Sequence, residues 1–71
     1  MSLAKHIGNQ VRQARKHAGI TQAELAEAMQ RTRSAIIDIE AGRRHITAEH
    51  LWQIAQILSC PISFFFPDNQ N

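Results

Sequence analysis

Residues 21–42 restrict the fold of this chain more than any other stretch. The Thr21 hydroxyl can accept a hydrogen bond from the free amides at the start of a helix, and Glu24, three residues later, completes a capping box. Thr32 is a second helix-start signal, and it follows the first helical pattern almost at once. The stretch therefore predicts two short helices joined by a tight turn.

The flanking segments are also patterned as helices. Apolar residues recur at steps of three and four in residues 2–18 and again after Thr47, which is typical of amphipathic helices. Gly8 inside the first helix is expected to allow close packing. These apolar positions are Leu3, Ile7, Val11, Ala14 and Ala18 in the first helix, and Leu51, Ile54, Ala55 and Leu58 in the fourth.

Few turn residues are present, which argues against a multi-stranded β fold. Pro61 and Pro67 bracket a last short helical turn at 62–66. We therefore predict an all-α fold: a compact five-helix domain over residues 1–67, followed by a disordered tail at 68–71. With 71 residues, the chain can form one small core.

The charge is unevenly distributed. The formal net charge is +2, but residues 1–44 carry all eight Lys and Arg residues, while residues 45–71 carry two acids and no Lys or Arg. This indicates a polyanion partner on one side of the domain. On charge alone, the alternative remains open that this is an ordinary solvated surface whose charges are unevenly distributed by chance.

Other function classes find little support in the sequence. Cys60 is the only cysteine, and no secretion signal or transmembrane segment is present, so we expect a cytoplasmic protein without a membrane partner. The four histidines have no metal-ligand spacing, and His6 and His17 are expected on a solvated helix surface. We expect no cofactor, no metal and no enzymatic activity.

The helix-turn-helix stretch and its surroundings resemble the phage Cro and repressor class of regulators, also called the xenobiotic-response-element family. The resemblance covers roughly residues 7–66. It implies a lambda-repressor-like fold that binds double-stranded DNA. The segments that carry it are Val11-Arg12-x-x-Arg15, Gly19-Ile20-Thr21-Gln22-Ala-Glu-Leu-Ala, Ser34-Ala-Ile36, Ile39-Glu40-Ala-Gly42, Ile54-Ala55 and Ile62-Ser63-Phe64-Phe65.

In this family, the outward positions of the third helix reach base edges in the major groove, and helical spacing independently turns them away from Ile36. Chemically, an arginine suits guanine, an aspartate suits cytosine and an isoleucine suits a thymine methyl. For Asp38 an intrahelical partner, Arg33 or Ser34, is an open alternative. The predicted base-contacting residues are Arg33, Ser34, Ile37 and Asp38.

The resemblance also implies backbone contacts and one structural ion pair. The predicted phosphate contacts are Gln22, Thr32, Arg43 and Arg44. For these residues, an ordinary solvated side chain is the alternative. Arg12 and Lys5 could add positive charge near the same face, but for both of them the ordinary solvated role is the preferred interpretation. Arg15 and Glu40 are expected to join the first and third helices through an ion pair.

Gln30 departs from the family pattern, which usually has glycine in the turn, at a position that favours a left-handed backbone. A strained or altered turn is therefore expected there. Ser59 replaces a second family glycine after the fourth helix, which is a milder change.

Phe64, Phe65 and Phe66 are consecutive and cannot all enter one small core. At least one should be exposed at the acidic end of the domain, where it can form an apolar patch. We predict a homodimer through this carboxy-terminal surface, formed by Phe64, Phe66, Trp52 and Ile57.

The sequence thus predicts a small transcriptional regulator, a repressor that reads a palindromic operator as a homodimer. A second class remains open, in which the same fold acts as an adaptor or antitoxin-like subunit that holds a partner protein. DNA binding would then be secondary.

Overall fold

The computed structural model describes residues 2–68, and within them the chain is helical, with four α-helices. Their bounds are α1 Leu3–Ala18, α2 Gln22–Met29, α3 Arg33–Glu40 and α4 Ala48–Leu58. The all-α prediction is confirmed, and the two short helices of the opening stretch are α2 and α3. Of the predicted tail, Asp68 is exposed and residues 69–71 lie outside the described part of the chain.

The predicted fifth helix is instead a single 3₁₀-helix, Ile62–Phe65. The amides of Phe64 and Phe66 donate to carbonyls three residues back, at 3.0 and 3.2 Å, which is the 3₁₀ pattern. Pro61 and Pro67 leave too few residues between them for a regular α-helix to develop. The description as a five-helix domain is therefore corrected to four α-helices and one 3₁₀-helix within residues 2–68.

Each α-helix begins at a hydroxyl cap that accepts from an amide of its first turn, as predicted for the helices that start at Thr21 and Thr32. The caps are Ser2, Thr21, Thr32 and Thr47. At Thr21 both bonds of the capping box are present, with the Glu24 carboxylate accepting from the Thr21 amide at 2.7 Å. These caps fix where each helix starts, which sets the direction in which α2 and α3 leave the turn.

The core lies where α3 packs against α1 and α2, and where α4 packs against α1 and α2. Phe65 is fully buried and closes the core from the 3₁₀-helix. The predicted apolar face of α1 is correct in its centre, but Leu3 and Ala18 are exposed because they lie at the two ends of the helix. The largest fully buried side chains are Phe65, Leu25, Ile36, Leu51, Ile54 and Val11.

The close packing expected at Gly8 is present. A Cβ atom on this residue would overlap the carbonyl oxygen of Ile39 and lie 2.8 Å from that of Glu40. The absence of a side chain therefore lets α1 touch the backbone of α3. No described helix is long and apolar enough to cross a membrane.

Candidate nucleic-acid interface

The turn between α2 and α3 contains a left-handed residue at Gln30, with φ 57° and ψ 42°. The amide of Gln30 donates to Glu27 at 3.1 Å, and that of Arg31 donates to Ala26 at 2.9 Å, so the end of α2 is closed by backbone bonds. Ser59 has the same left-handed backbone after α4. Both positions therefore keep the conformation that glycine favours, although neither is glycine.

A buried polar network joins α1, α2 and α3. Arg15 Nε donates to Glu40 Oε2 at 2.6 Å, and Arg15 Nη2 donates to Oε1 at 3.2 Å. The third nitrogen, Nη1, donates to the Ile20 carbonyl at 2.9 Å. Gln22 Nε2 donates to Glu40 Oε1 at 3.1 Å. The network thus ties the start of α2 and the end of α3 to α1.

The Gln22 side chain bonds to Glu40 at the end of α3 and so supports the third helix. Its amide nitrogen carries two hydrogens, one of which remains for a phosphate, and the backbone N–H is a further donor at this residue. The backbone amides of Gln22 and Ala23 have no hydrogen-bond partner among residues 2–68, as expected for the first turn of a helix. These amides form the positive end of the α2 dipole, where binding of an anion is favoured.

The outward side of α3 is exposed at its start and half-buried further along. Thr32, Arg33 and Ser34 are exposed, whereas Ile37 and Asp38 are half-buried. Thr32 also caps the helix, with its hydroxyl accepting from the Ala35 amide at 3.2 Å. The first turn of α3 therefore presents the most accessible polar side chains.

Asp38 and Arg43, predicted as a base contact and a phosphate contact, are bonded to each other. Arg43 Nε and Nη2 donate to Asp38 Oδ1 at 3.2 and 3.1 Å. The partner of Asp38 is therefore neither Arg33 nor Ser34, which were the alternatives considered from the sequence. Arg44 is exposed and forms no ion pair within residues 2–68.

One further basic residue lies near this surface. Arg12 is exposed on α1 and lines a shallow cleft together with Ile37, Glu40 and Arg43. Arg31, in the turn, lies instead beside α4, with its Nη1 3.4 Å from Nε2 of His50. Arg12 is thus placed beside the candidate DNA surface, a position that is also compatible with the solvated role preferred for it.

The aromatic residues of the carboxy-terminal end divide as predicted: Phe65 is buried, while Phe64 and Phe66 are 38% and 42% exposed. Trp52 on α4 is 57% exposed. Ile57 is half-buried and packs against the core, so only part of it is available to a partner. Gln10 Nε2 donates to the Phe64 carbonyl at 2.9 Å and holds the 3₁₀-helix to α1.

The remaining titratable groups do not form a reactive site. Burial raises the pKa of the Cys60 thiol, which disfavours the nucleophilic thiolate. The expectation of a solvated His6 is wrong, because its Nε2 is buried and has no hydrogen-bond partner among the described residues. Residues 2–68 contain no group of three or more His, Cys, Asp or Glu arranged to hold a metal ion.

Comparison with known families agrees with this geometry. The family model for helix-turn-helix proteins matches residues 11–65, so the chain belongs to the helix-turn-helix family of the Cro and repressor type. An uncharacterised helix-turn-helix-type transcriptional regulator of Sinorhizobium medicae is 38% identical over 63 residues, which are 89% of this chain and 45% of that protein. The chain thus spans about half the length of this relative.

Two solved structures are similar over nearly the whole chain. The clp gene regulator ClgR from C. glutamicum superimposes with a TM-score of 0.88 at 26% identity, covering 92% of this chain and 83% of that one. The DNA-binding domain of BldD has a TM-score of 0.82 at 25% identity, covering 94% of this chain and all of that one.

Proposed function

We propose that this chain binds double-stranded DNA by inserting α3 into the major groove, and that it regulates transcription through this binding alone, without catalysis. The observation that carries the proposal is the buried network of Arg15, Gln22 and Glu40. It fixes α2 and α3 relative to α1 while leaving the first turn of α3 exposed. The similarity to a gene regulator and to a DNA-binding domain supports the same function.

Four side chains on the outward side of α3 are proposed to read bases. Arg33 can donate two hydrogen bonds to guanine, and Ile37 can contact a thymine methyl. Ser34 can donate to or accept from a base edge, and Asp38 can accept from an exocyclic amine. Arg33 and Ser34 are the most exposed of the four and lie nearest the start of the helix.

Phosphates are proposed to contact the rim of this surface. The free backbone amides at the start of α2, with Gln22 first, provide one site, and the Thr32 hydroxyl lies at the start of α3. Arg43 and Arg44 in the loop after α3 provide positive charge on the other side. These contacts would fix the orientation of α3 without distinguishing one sequence from another.

We also propose that the protein acts as a homodimer on a palindromic operator. The exposed aromatic side chains of Trp52, Phe64 and Phe66 form the proposed interface, with Ile57 at its edge. A two-fold dimer places two copies of α3 on half-sites roughly 34 Å apart, one turn of DNA. Repression follows if the bound dimer blocks access to the same DNA.

Selection of bound sequences from a random duplex pool tests this function. The expected result is a palindrome with fixed half-site spacing. Arg33→Ala should lower discrimination between operators by about 1–3 kcal/mol, because a bidentate base contact is lost. Arg44→Gln should weaken binding to all sequences alike and serves as the matched control.

The exposed aromatic surface also favours a second candidate, an adaptor or antitoxin-like module whose main partner is a protein. In that case selection would yield no consensus sequence, and DNA affinity would stay in the non-specific range whether or not Arg33 is present. Sedimentation of the wild-type protein and of Phe66→Ala would then show a monomer in both cases. These outcomes together would contradict the regulator proposal.

A further inference from the structure

Asp38 and Arg43 are joined through both side chain and backbone. Two Arg43 nitrogens donate to one carboxylate oxygen, Oδ1, and the Arg43 backbone amide donates to the Asp38 carbonyl at 2.9 Å. Both residues lie on the surface that the proposed function turns toward DNA. The loop after α3 is thereby folded back onto the helix that it follows.

The pairing changes how this surface responds to phosphates. An unpaired carboxylate on α3 would be repelled by DNA, and an unpaired guanidinium would be attracted to any DNA irrespective of sequence. Paired, the two groups contribute almost no net charge. Their side chains are 63% and 38% accessible, for Arg43 and Asp38 respectively, so DNA can reach both groups while they remain paired.

The second carboxylate oxygen is available for recognition. Oδ2 of Asp38 accepts no hydrogen bond from residues 2–68. A carboxylate has capacity for further donors, and the exocyclic amines of cytosine and adenine are the donors that the major groove offers. A base amine can therefore bind at Oδ2 while Arg43 continues to neutralise the charge.

We propose that Asp38 and Arg43 act as one unit that determines how strongly the protein discriminates its operator from other DNA. This inference rests on the proposed function. Where a base amine lies opposite Asp38, the carboxylate accepts a hydrogen bond from it, and Arg43 neutralises the charge of the carboxylate. Where none is present, Asp38 retains Arg43 and keeps it from strengthening binding to the phosphates. Asp38 thus discriminates through its base contact, and its hold on Arg43 keeps binding to DNA without that contact weak.

The test measures the salt dependence of binding to a duplex without the operator, using wild-type protein, Asp38→Asn, Arg43→Gln and the double variant. Asp38→Asn should release Arg43 to a phosphate. The slope of log affinity against log salt should then steepen by about one unit, and affinity at low salt should rise on the order of tenfold. The double variant should return to nearly the wild-type slope.

Selection from a random pool provides a second readout. With Asp38→Ala, which removes the acceptor, the preference for a base with an exocyclic amine should relax at one position in each half-site, while the preference set by Arg33 remains. Arg43→Gln leaves Asp38 unneutralised and should lower affinity for all DNA. Circular dichroism should confirm wild-type helix content, and Asp38→Ser serves as a second neutral variant.

Arg44→Gln is the matched control, because Arg44 is exposed and forms no ion pair within the described residues. Its slope should become shallower by about one unit whether or not the inference holds. If Arg44→Gln changes the slope but Asp38→Asn does not, the inference is wrong and the proposed function stands. If the wild-type protein binds no duplex even at low salt, the proposed function itself fails.

Discussion

The two ion pairs of α3 consist of the same kinds of chemical group in opposite surroundings. In the Arg15–Glu40 pair the side chains are 9% and 4% accessible, whereas Arg43 is exposed and Asp38 is half-buried. A buried charge that loses its partner cannot be compensated by water, but one that water reaches can. The buried pair therefore fixes the position of α3, and the accessible pair can be broken at little cost to the fold.

Hydrogen bonding reinforces this difference. The guanidinium of Arg15 donates from three nitrogens to three oxygens, two of Glu40 and the Ile20 carbonyl, and Gln22 adds a further donor to Glu40. Arg43 instead places two nitrogens on a single oxygen of Asp38. Substitutions in the two pairs should consequently differ in their effect on the free energy of unfolding.

Of these substitutions, Glu40→Ala should cause the largest loss of stability. It leaves Arg15 buried without its partner, and we expect the free energy of unfolding to fall by about 3–5 kcal/mol. Equilibrium denaturation with urea measures this change. Replacing both residues, as in Arg15→Met with Glu40→Leu, should restore much of the lost stability, because no uncompensated charge remains. A double variant as unstable as Glu40→Ala would show that packing, and not charge, dominates the site.

Gly8→Ala should cause the second-largest loss of stability. The new methyl group would overlap the Ile39 carbonyl, and forced overpacking typically costs about 1–3 kcal/mol. This exceeds the helix propensity that alanine gains over glycine, about 1 kcal/mol. Comparing Gln13→Ala with Gln13→Gly, at an exposed position of the same helix, measures the propensity difference alone. Thermal denaturation showing a stabilised Gly8→Ala protein would refute the close contact between α1 and α3.

Gln30→Gly should change the stability less than Gly8→Ala, and it should raise it. A left-handed backbone is unfavourable for a residue with a side chain by about 1–2 kcal/mol, and the extra chain entropy of glycine offsets part of this. We expect a net stabilisation of about 0.5–1 kcal/mol, and a similar gain for Ser59→Gly. Operator discrimination should not change if the buried network alone orients α3. A change in discrimination with Gln30→Gly only would assign part of that role to the turn.

Asp38→Ala and Arg43→Ala should have the smallest effect on folding. Exposed ion pairs contribute about 0–1 kcal/mol, so both variants should unfold within that margin of the wild-type protein. Their effect should instead appear in DNA binding. If urea denaturation showed that the free energy of unfolding falls by several kcal/mol, this pair would stabilise the fold as much as Arg15–Glu40 does. The contrast between the two pairs would then disappear.

Much of the fold could be predicted because its signals are local. The hydroxyl caps and the capping box at Thr21 need only a few neighbouring residues. The left-handed turn at Gln30 was indicated by the glycine that the family has there. The pairing of Arg15 with Glu40 came from the resemblance, since residues so far apart in sequence give no local signal.

The features that the sequence did not reveal depend on tertiary geometry. Arg43 reaches Asp38 because the chain turns back after α3 at Gly42, where φ is +76°, and helical spacing does not describe that turn. Gln22 was predicted as a phosphate contact, and the partner that its side chain finds in the folded chain, Glu40, depends on where α2 crosses the end of α3. The burial of the His6 Nε2 atom likewise depends on packing around α1 and not on the pattern within it.

The contact between α1 and α3 at Gly8 also bears on how this protein can acquire new operators. Gly8 meets the main-chain carbonyls at the end of α3, and these remain whatever side chains the helix carries. The outward positions, with Arg33 and Ser34 foremost, take no part in that contact. If α3 reads DNA as proposed, substitutions on its outward face can change the sequence preference while the packing of α3 against α1 stays the same.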